Sequence, residues 1–430
     1  MTDAVSKSGA VSTRAQKLQA RLKSRYAREN RFKWYGRGAI GVALVFLAIL
    51  LSSIVMQGYT AFYGHSLTMP LYMDPARIER AYPQGTNFEQ LAAEQEIARL
   101  GIVDETGAQT AAMRSLFSSE LKYVAAEMIR NQPALIGQTV PVSAPLSDDA
   151  EMYLKGKITQ NTPEEQRRIS DQQMQWLDQM KERGVIRAHF NSALFTKGDS
   201  TQPELAGLLG AVVGSALMLT VTALIAIPVG VFAAVWLEEY APRNRLTAII
   251  EVNINNLAAV PSIVYGLLGL ALFINFLHLP RASPLVGGLV LALMALPTII
   301  IATRSALKAV PPSIRDAALA MGASRTQTVF QHVLPLAMPG VMTGSIIAMA
   351  HALGETAPLL MIGMISFVPG ITAAIDAPAG ALPSLIYIWE NASERAFHER
   401  TAAAILVLLA FMIVMNAAAI LLRRRFERRW

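Results

Sequence analysis

Apolar residues along this chain fall into six runs, 38–58, 209–236, 256–277, 284–302, 340–365 and 401–422, separated by polar stretches of very unequal length. A helix crosses a hydrocarbon core of about 30 Å with about 20 such residues. The pattern therefore predicts six transmembrane helices, with tilt or projection for the two longest runs, 209–236 and 340–365. The polar block 59–204 is long enough for one modest domain. Its periodicity is helical over Phe88–Leu100, Gln109–Gln132 and Pro163–Val185, and β-leaning over the proline-punctuated Leu135–Pro145. The expected fold is an all-α integral membrane protein: six transmembrane helices with a large, mainly helical extracytoplasmic insert between the first and second spans.

Charge supplies the orientation. Residues 1–37 hold ten Lys/Arg against two acids, and Arg423–Arg429 adds five arginines. The block 59–204 carries 14 Lys/Arg against 19 Asp/Glu. Basic flanks mark the cytosolic ends of spans, so 1–37 and 423–430 are expected as basic cytosolic tails. Six spans then place 59–204 outside the cytosol and 303–339 inside it. The basic N-terminal run is a topology signal in contact with anionic membrane lipid. Its aromatics, Phe32, Trp34 and Tyr35, read as an interfacial belt rather than a nucleic-acid surface, so a pI near 9.6 does not imply nucleic acid. With 37 residues ahead of the first apolar run, the start does not read as a cleaved signal peptide.

Cysteine is absent, the six histidines show no metal-binding spacing, and no GxxxxGK[ST] loop occurs. No cofactor or metal is expected, and any ATP hydrolysis must belong to another subunit.

The polar island Val310–Pro335 describes two short helices around a forced elbow. Ser313 stands three residues before Asp316, and Ser324 three before Gln327, so each pair can form a capping box. Gly322 supplies a turn through positive φ, and Pro335 is expected to stop the second helix. Ile314, Ala317, Ala318 and Met321 are expected on one face, small in the middle and suited to a partner's groove.

Asp316-Ala317-Ala318, Gly322 and Leu334-Pro335 resemble the "E-A-A…G…L-P" coupling loop of ABC importer permeases, with Asp for the usual Glu. Val260-Pro261-Ser262-Ile263-Val264-Tyr265-Gly266, Leu296-Pro297 and Leu353-Gly354-Glu355-Thr356-Ala357-Pro358-Leu359 resemble the phosphate-specific permeases of that class. The likeness covers roughly residues 195–425. It implies a five-helix type-1 transmembrane domain over 205–422, ATPase coupling through Asp316, Ala317, Ala318, Met321 and Gly322, and a substrate path past His351, Glu355 and Thr356. It also implies partners: two copies of an ATPase subunit, a second permease subunit, an extracytoplasmic phosphate-binding protein, and inorganic phosphate as solute. The block 59–204 resembles an N-terminal extension of some phosphate permeases, which supplies no role for it.

His351 and Glu355 stand four apart inside an expected span, where ionisable groups are costly and line paths or hold helices together. The family usually has Arg at position 351; a neutral imidazole lacks that fixed charge. Arg304 ends the fourth expected span and reads as a topology and phosphate-headgroup anchor, with an inner gate as the other reading. Asn253, Asn255 and Asn256 open the third span as helix-bridging or solute-contacting groups, and Ser262, Tyr265 and Thr298 lie beside helix-breaking prolines. Gly210…Gly214 and Gly340…Gly344 permit close helix approach. The alternatives are a permease for another oxyanion, such as sulfate, molybdate or phosphonate, and a membrane sensor reading an outer signal through 59–204.

Overall fold

A computed structural model describes residues 3–79, 82–364 and 367–426, so residues 1–2 and 427–430 of the expected tails lie outside it. The N-terminal unit is one continuous helix, α1 (Asp3–Gly58). Residues Arg28–Phe62 are long and apolar enough to cross a membrane. The interfacial aromatics Phe32, Trp34 and Tyr35 are exposed, and the Arg37 guanidinium lies 5.5 Å over the Trp34 ring.

The chain is mostly helical, as expected, but not all-α. Within 59–204, strands β1 (Tyr63–Tyr72), β2 (Thr139–Pro145) and β3 (Ile186–Phe190) form an antiparallel sheet in the order β2-β1-β3. Alternation on β1 and β2 turns Leu67, Met69 and Leu71 inward beside Ala144, Val142 and Val140. This face is covered by α2 (Phe88–Arg99), α4 (Glu120–Asn131) and α6 (Asp171–Glu182), which bury Phe88, Leu121, Met174 and Trp176. Pro70 is tolerated inside β1 because β3 pairs only as far as Leu67, so no ladder donor is needed there.

Two expected helices of this block are shorter than the periodicity suggests. Gln109–Gln132 divides into α3 (Ala108–Arg114) and α4, because Ser118 N–H bonds the Pro145 carbonyl and Phe117 bridges Leu146. Pro163–Val185 becomes helical only at Asp171, where Ser170 and Gln173 form a reciprocal capping box. Helix α5 (Asp148–Leu154) and the short α7 (Ala193–Thr196) complete the block.

From Leu209 onward the apolar runs build a helical bundle. Helix α8 (Leu209–Val235) continues as a π turn, Trp236–Tyr240. Then come α9 (Arg245–Leu257), α10 (Ser262–Gly269) and α11 (Pro284–Lys308). The expected single span 256–277 is instead the second limb of a bent pair, Arg245–Leu257 and Ser262–Phe276, meeting at 104°. Pro261 breaks the helix, and the Tyr265 hydroxyl donates to the Leu257 carbonyl across the break at 2.7 Å. A limb of this length rises only about 22 Å, short of a full hydrocarbon core.

Helix α12 (Pro312–Ala320) is followed by α13 (Arg325–Gln327), a π turn Thr328–Val333, and α14 (Leu334–Gly354). These last three run as one 30-residue helix, Arg325–Gly354. Pro335 therefore does not stop it. The π turn widens the hydrogen-bond ladder immediately before the proline, which has no N–H to place. The helix ends at Gly354, earlier than the run 340–365 suggests, and α15 (Ala357–Met361), α16 (Leu382–Glu390) and α17 (Ala396–Phe426) follow. Among the described residues, five helices are long and apolar enough to cross a membrane, or six if the bent pair is one span.

Small residues let the bundle close. A β-carbon on Gly344 would stand 2.2 Å from the Ala302 β-carbon, and one on Gly340 2.6 Å from that of Ala306. The Gly340…Gly344 stripe thus seats α14 against α11, as expected.

The block 59–204 is joined to the bundle by a buried ionic knot. Lys155 Nζ lies 2.8 Å from Glu399 and 3.1 Å from Glu151, which also accepts from the His65 backbone N–H at 3.0 Å. Arg400 donates to the Ala206 carbonyl at 2.7 Å, and the Trp389 indole donates to Asp199 at 3.0 Å. Removing one partner from such a buried set leaves an uncompensated charge, at a cost of about 3–5 kcal/mol.

Candidate functional site

The elbow is built as a chain reversal between α11 and the long helix. Gly322 has φ +87°, the left-handed turn its position requires, with no atom within 4 Å of where a β-carbon would stand. Ser324 caps the next helix reciprocally with Gln327: its Oγ accepts from Gln327 N–H at 3.2 Å, and its own N–H donates to Gln327 Oε1 at 2.9 Å. The matching box at Ser313 and Asp316 does not form. Pro311 and Pro312 start α12 two residues too early for it, and no side chain caps that end.

The expected common face also divides. Ala318 is buried and Ile314 packs half-buried against a cluster that includes Val310, Val329 and Val333, whereas Ala317 and Asp316 are exposed and Met321 stands 88% free. Ala318 thus fixes the elbow to its own chain, and the outward surface is Asp316, Ala317 and Met321.

A residue that the motif reading did not single out clamps the elbow. The Arg315 guanidinium forks onto Glu239 at 2.7 and 3.2 Å and donates to the carbonyls of Val310 and Leu307 at 2.8 and 3.0 Å. Beside it, Arg304 meets Glu251 at 2.7 Å and Glu238 at 3.4 Å, and Lys308 meets Glu238 at 3.6 Å. Arg304 is therefore a bridge between α11, α9 and the end of α8, not a free headgroup anchor. Its partners were visible only as acids following an apolar run.

Asn253 donates to the Ile249 carbonyl of its own helix at 2.8 Å.

At the far end of the long helix stand His351 and Glu355, with Nε2 and Oε1 3.2 Å apart. Glu355 does not continue the helix, as the expected span had it: its backbone is extended, and the chain breaks there before the Ala357-Pro358 start of α15. Thr356 is the half-buried cap residue of that turn. The His351 side chain is 67% exposed and that of Glu355 only 18%. The turn rests directly on α10, where a β-carbon on Gly266 would stand 2.7 Å from Pro358 Cα. The structure thus brings the Val260–Gly266 and Leu353–Leu359 stretches together. It keeps both away from the elbow by the length of the helix, about 40 Å at 1.5 Å per residue.

With five helices of membrane-crossing length among the described residues, or six if the bent pair is one span, this is a multi-pass membrane protein. The sequence profile of a family described as "binding-protein-dependent transport system inner membrane component" matches residues 226–430, and one described as a domain of unknown function matches 19–164. Phosphate transport system permease protein PstA 2 of Mycobacterium tuberculosis is 35% identical over 225 residues, covering 52% of this chain and 74% of that protein. PstA 1 of the same organism is 32% identical over 218 residues, covering 50% and 70%. A solved methionine ABC transporter in inward-facing form is similar at 20% identity and a TM-score of 0.42, over 51% of this chain and 95% of that one. The chain belongs to the binding-protein-dependent transport permeases, in the family that includes the phosphate transport system permease proteins.

Proposed function

We propose that this chain is the permease subunit of an ATP-driven ABC importer that moves inorganic phosphate across the cytoplasmic membrane. The observation that carries the reading is the placement of two family-like features, the elbow and the Leu353–Leu359 turn, at opposite ends of one 30-residue helix. A rigid helix converts displacement at one end into displacement at the other. The clamp from Arg315 to Glu239 makes α12, α11 and the end of α8 move with the elbow.

In this reading the elbow is cytosolic, and one of two ATPase copies grips Asp316, Ala317 and Met321, with Ala318 and Gly322 fixing its shape, while the other serves the second permease subunit. The six spans include the bent pair as one, both termini are cytosolic, and 59–204 is extracytoplasmic. A binding protein delivers phosphate on the outer side, and a second permease subunit faces this one to complete the path. His351, Glu355 and Thr356 line that path. The exposed imidazole beside a sheltered carboxylate supports this role, because within one subunit His351 has Glu355 as its ion partner and most of its surface left over. No covalent chemistry takes place on the chain; ATP hydrolysis belongs to the ATPase.

Purification of the full chain from membranes, followed by ATP-driven uptake of labelled phosphate into proteoliposomes, tests the reading. Recovery of an ATPase and a second permease with phosphate uptake is expected. Preferential uptake of sulfate, or purification without any ATPase, overturns it. Orientation is tested by introducing single cysteines into this cysteine-free chain. An impermeant thiol reagent should label Glu105→Cys in intact cells and reach Ser313→Cys only after the membrane is opened.

A further inference from the structure

Where the 59–204 block meets the loop before α17 there is a cavity of about 320 Å³ that the transport reading does not use. Its charged lining is Lys157, Arg167, Arg168 and Arg395 against Asp149 and Glu165. Among the described residues, Lys157, Arg168 and Arg395 make no ion pair or side-chain hydrogen bond within the chain, although Asp149 lies near enough to Arg168 and Arg395 to feel their charge. The Arg167 side chain is only 2% exposed. Asp171 takes its outer edge and the Met174 sulfur accepts from Nη1 at 2.8 Å, but its buried Nε has no partner. Buried guanidinium nitrogens are rarely left unsatisfied. Three exposed cations line the same cavity as that group, and its four cations outnumber its two acids by two, so an acceptor with several oxygens complements it. A guanidinium matches that geometry with two parallel N–H donors, and an ammonium adds a point charge.

We propose that this cavity binds a phosphate group, held by Arg168, Arg395 and Lys157 over Arg167. Either a free phosphate ion or a phospholipid headgroup offers that chemistry. The proposal rests on the cavity's own charges and stands whether or not the chain transports phosphate.

The test uses the full chain in lipid nanodiscs. Equilibrium dialysis with labelled inorganic phosphate is run on wild type, Arg168→Gln/Arg395→Gln, Glu355→Gln and the surface control Arg130→Gln. In parallel, native mass spectrometry counts retained phosphatidylglycerol in mixed phosphatidylcholine and phosphatidylglycerol discs. Both substituted arginines are exposed, so the melting midpoint should be unchanged, which separates loss of binding from loss of fold. Salt-sensitive phosphate binding that weakens about tenfold or more in the double variant, and persists in Arg130→Gln, establishes a free-ion site. Absence of soluble binding, with phosphatidylglycerol retained by wild type and lost by the double variant, establishes a headgroup site. Binding that the double variant leaves intact, binding lost in Glu355→Gln instead, or no binding of either ligand overturns the proposal.

Discussion

The two ends of the Arg325–Gly354 helix treat charge in opposite ways. At the elbow end two half-buried cations have found acids within the chain: Arg315 is forked onto Glu239, and Arg304 sits between Glu238 and Glu251. At the other end, His351 has Glu355 as its ion partner and leaves two-thirds of its side chain free. The difference separates charges that shape the protein from those left available to something outside it. Saturated pairs fix distances between helices. A charge held in place but mostly uncovered costs little to solvate and remains able to act.

That comparison can be broken by substitution, and the largest effect is expected where the charge is saturated. Arg315→Leu removes the fork and leaves Glu239 unpaired beside a helix end. Because Arg315 is partly exposed, the expected loss is about 2–3 kcal/mol rather than the full cost of a buried orphan. Membrane abundance and thermal midpoint should fall together, and Arg315→Leu/Glu239→Gln should recover much of the loss. An unchanged midpoint in the single variant would remove the clamp from this account.

Gly322→Val comes next. Nothing crowds the position, so the effect is the backbone strain of a β-branched residue at positive φ, about 1–2 kcal/mol. The elbow should change shape while the chain still assembles, and ATP-driven uptake should fall at least several-fold at normal abundance. Ala318→Arg reports something different, because Ala318 is buried in its own chain: it should lower abundance before it lowers ATPase recovery.

His351→Leu should leave the folding stability within about 0.5 kcal/mol of wild type, as surface substitutions do, yet abolish uptake. His351→Arg, which keeps a hydrogen-bond donor beside Glu355, should retain uptake. Full activity in His351→Leu at normal abundance would move His351 out of the path.

The smallest effect is expected from acidification at the other saturated cluster, the Lys155 knot, where a shifted carboxyl is titrated rather than a partner deleted. Burial pushes the Glu151 carboxyl up, but the hydrogen bond from His65 and the charge of Lys155 outweigh it and leave the carboxyl below its usual range. Its stabilising contribution is therefore present above the unfolded value, about 4.3, and is lost as pH falls through the lowered folded value. The midpoint followed by fluorescence of the buried Trp176 should drop by roughly a few degrees on acidification below about pH 4, and Glu151→Gln should reduce that drop.

Much of the bundle was legible because apolar length and glycine or proline position are local. The Gly322 turn, the Ser324–Gln327 box and the Gly340…Gly344 contact each depend on residues within a turn of one another or on the absence of a β-carbon. Where local reading failed, a neighbour outside the segment decided. Pro335 reads as a helix stop until the π turn at Thr328–Val333 absorbs it, and Gln109–Gln132 reads as one helix until Phe117 and Ser118 pair with the end of β2. Of the path residues, the His351–Glu355 contact was legible from its spacing, but its place at a helix break was not.

The sequence by itself determined that this chain carries apolar helices of membrane-crossing length, where its elbow turns, and which family's motifs it bears, since composition and short-range spacing are enough for each. Only the tertiary structure decided which charges are spent and which are left over. Arg304 and Arg315 are equally basic in the sequence to Arg168 and Arg395, yet the first pair is neutralised by acids 53 to 76 residues away while the second lines an open cavity. A Coulomb interaction depends on distance in space and on how much water lies between, and neither quantity is written along the chain.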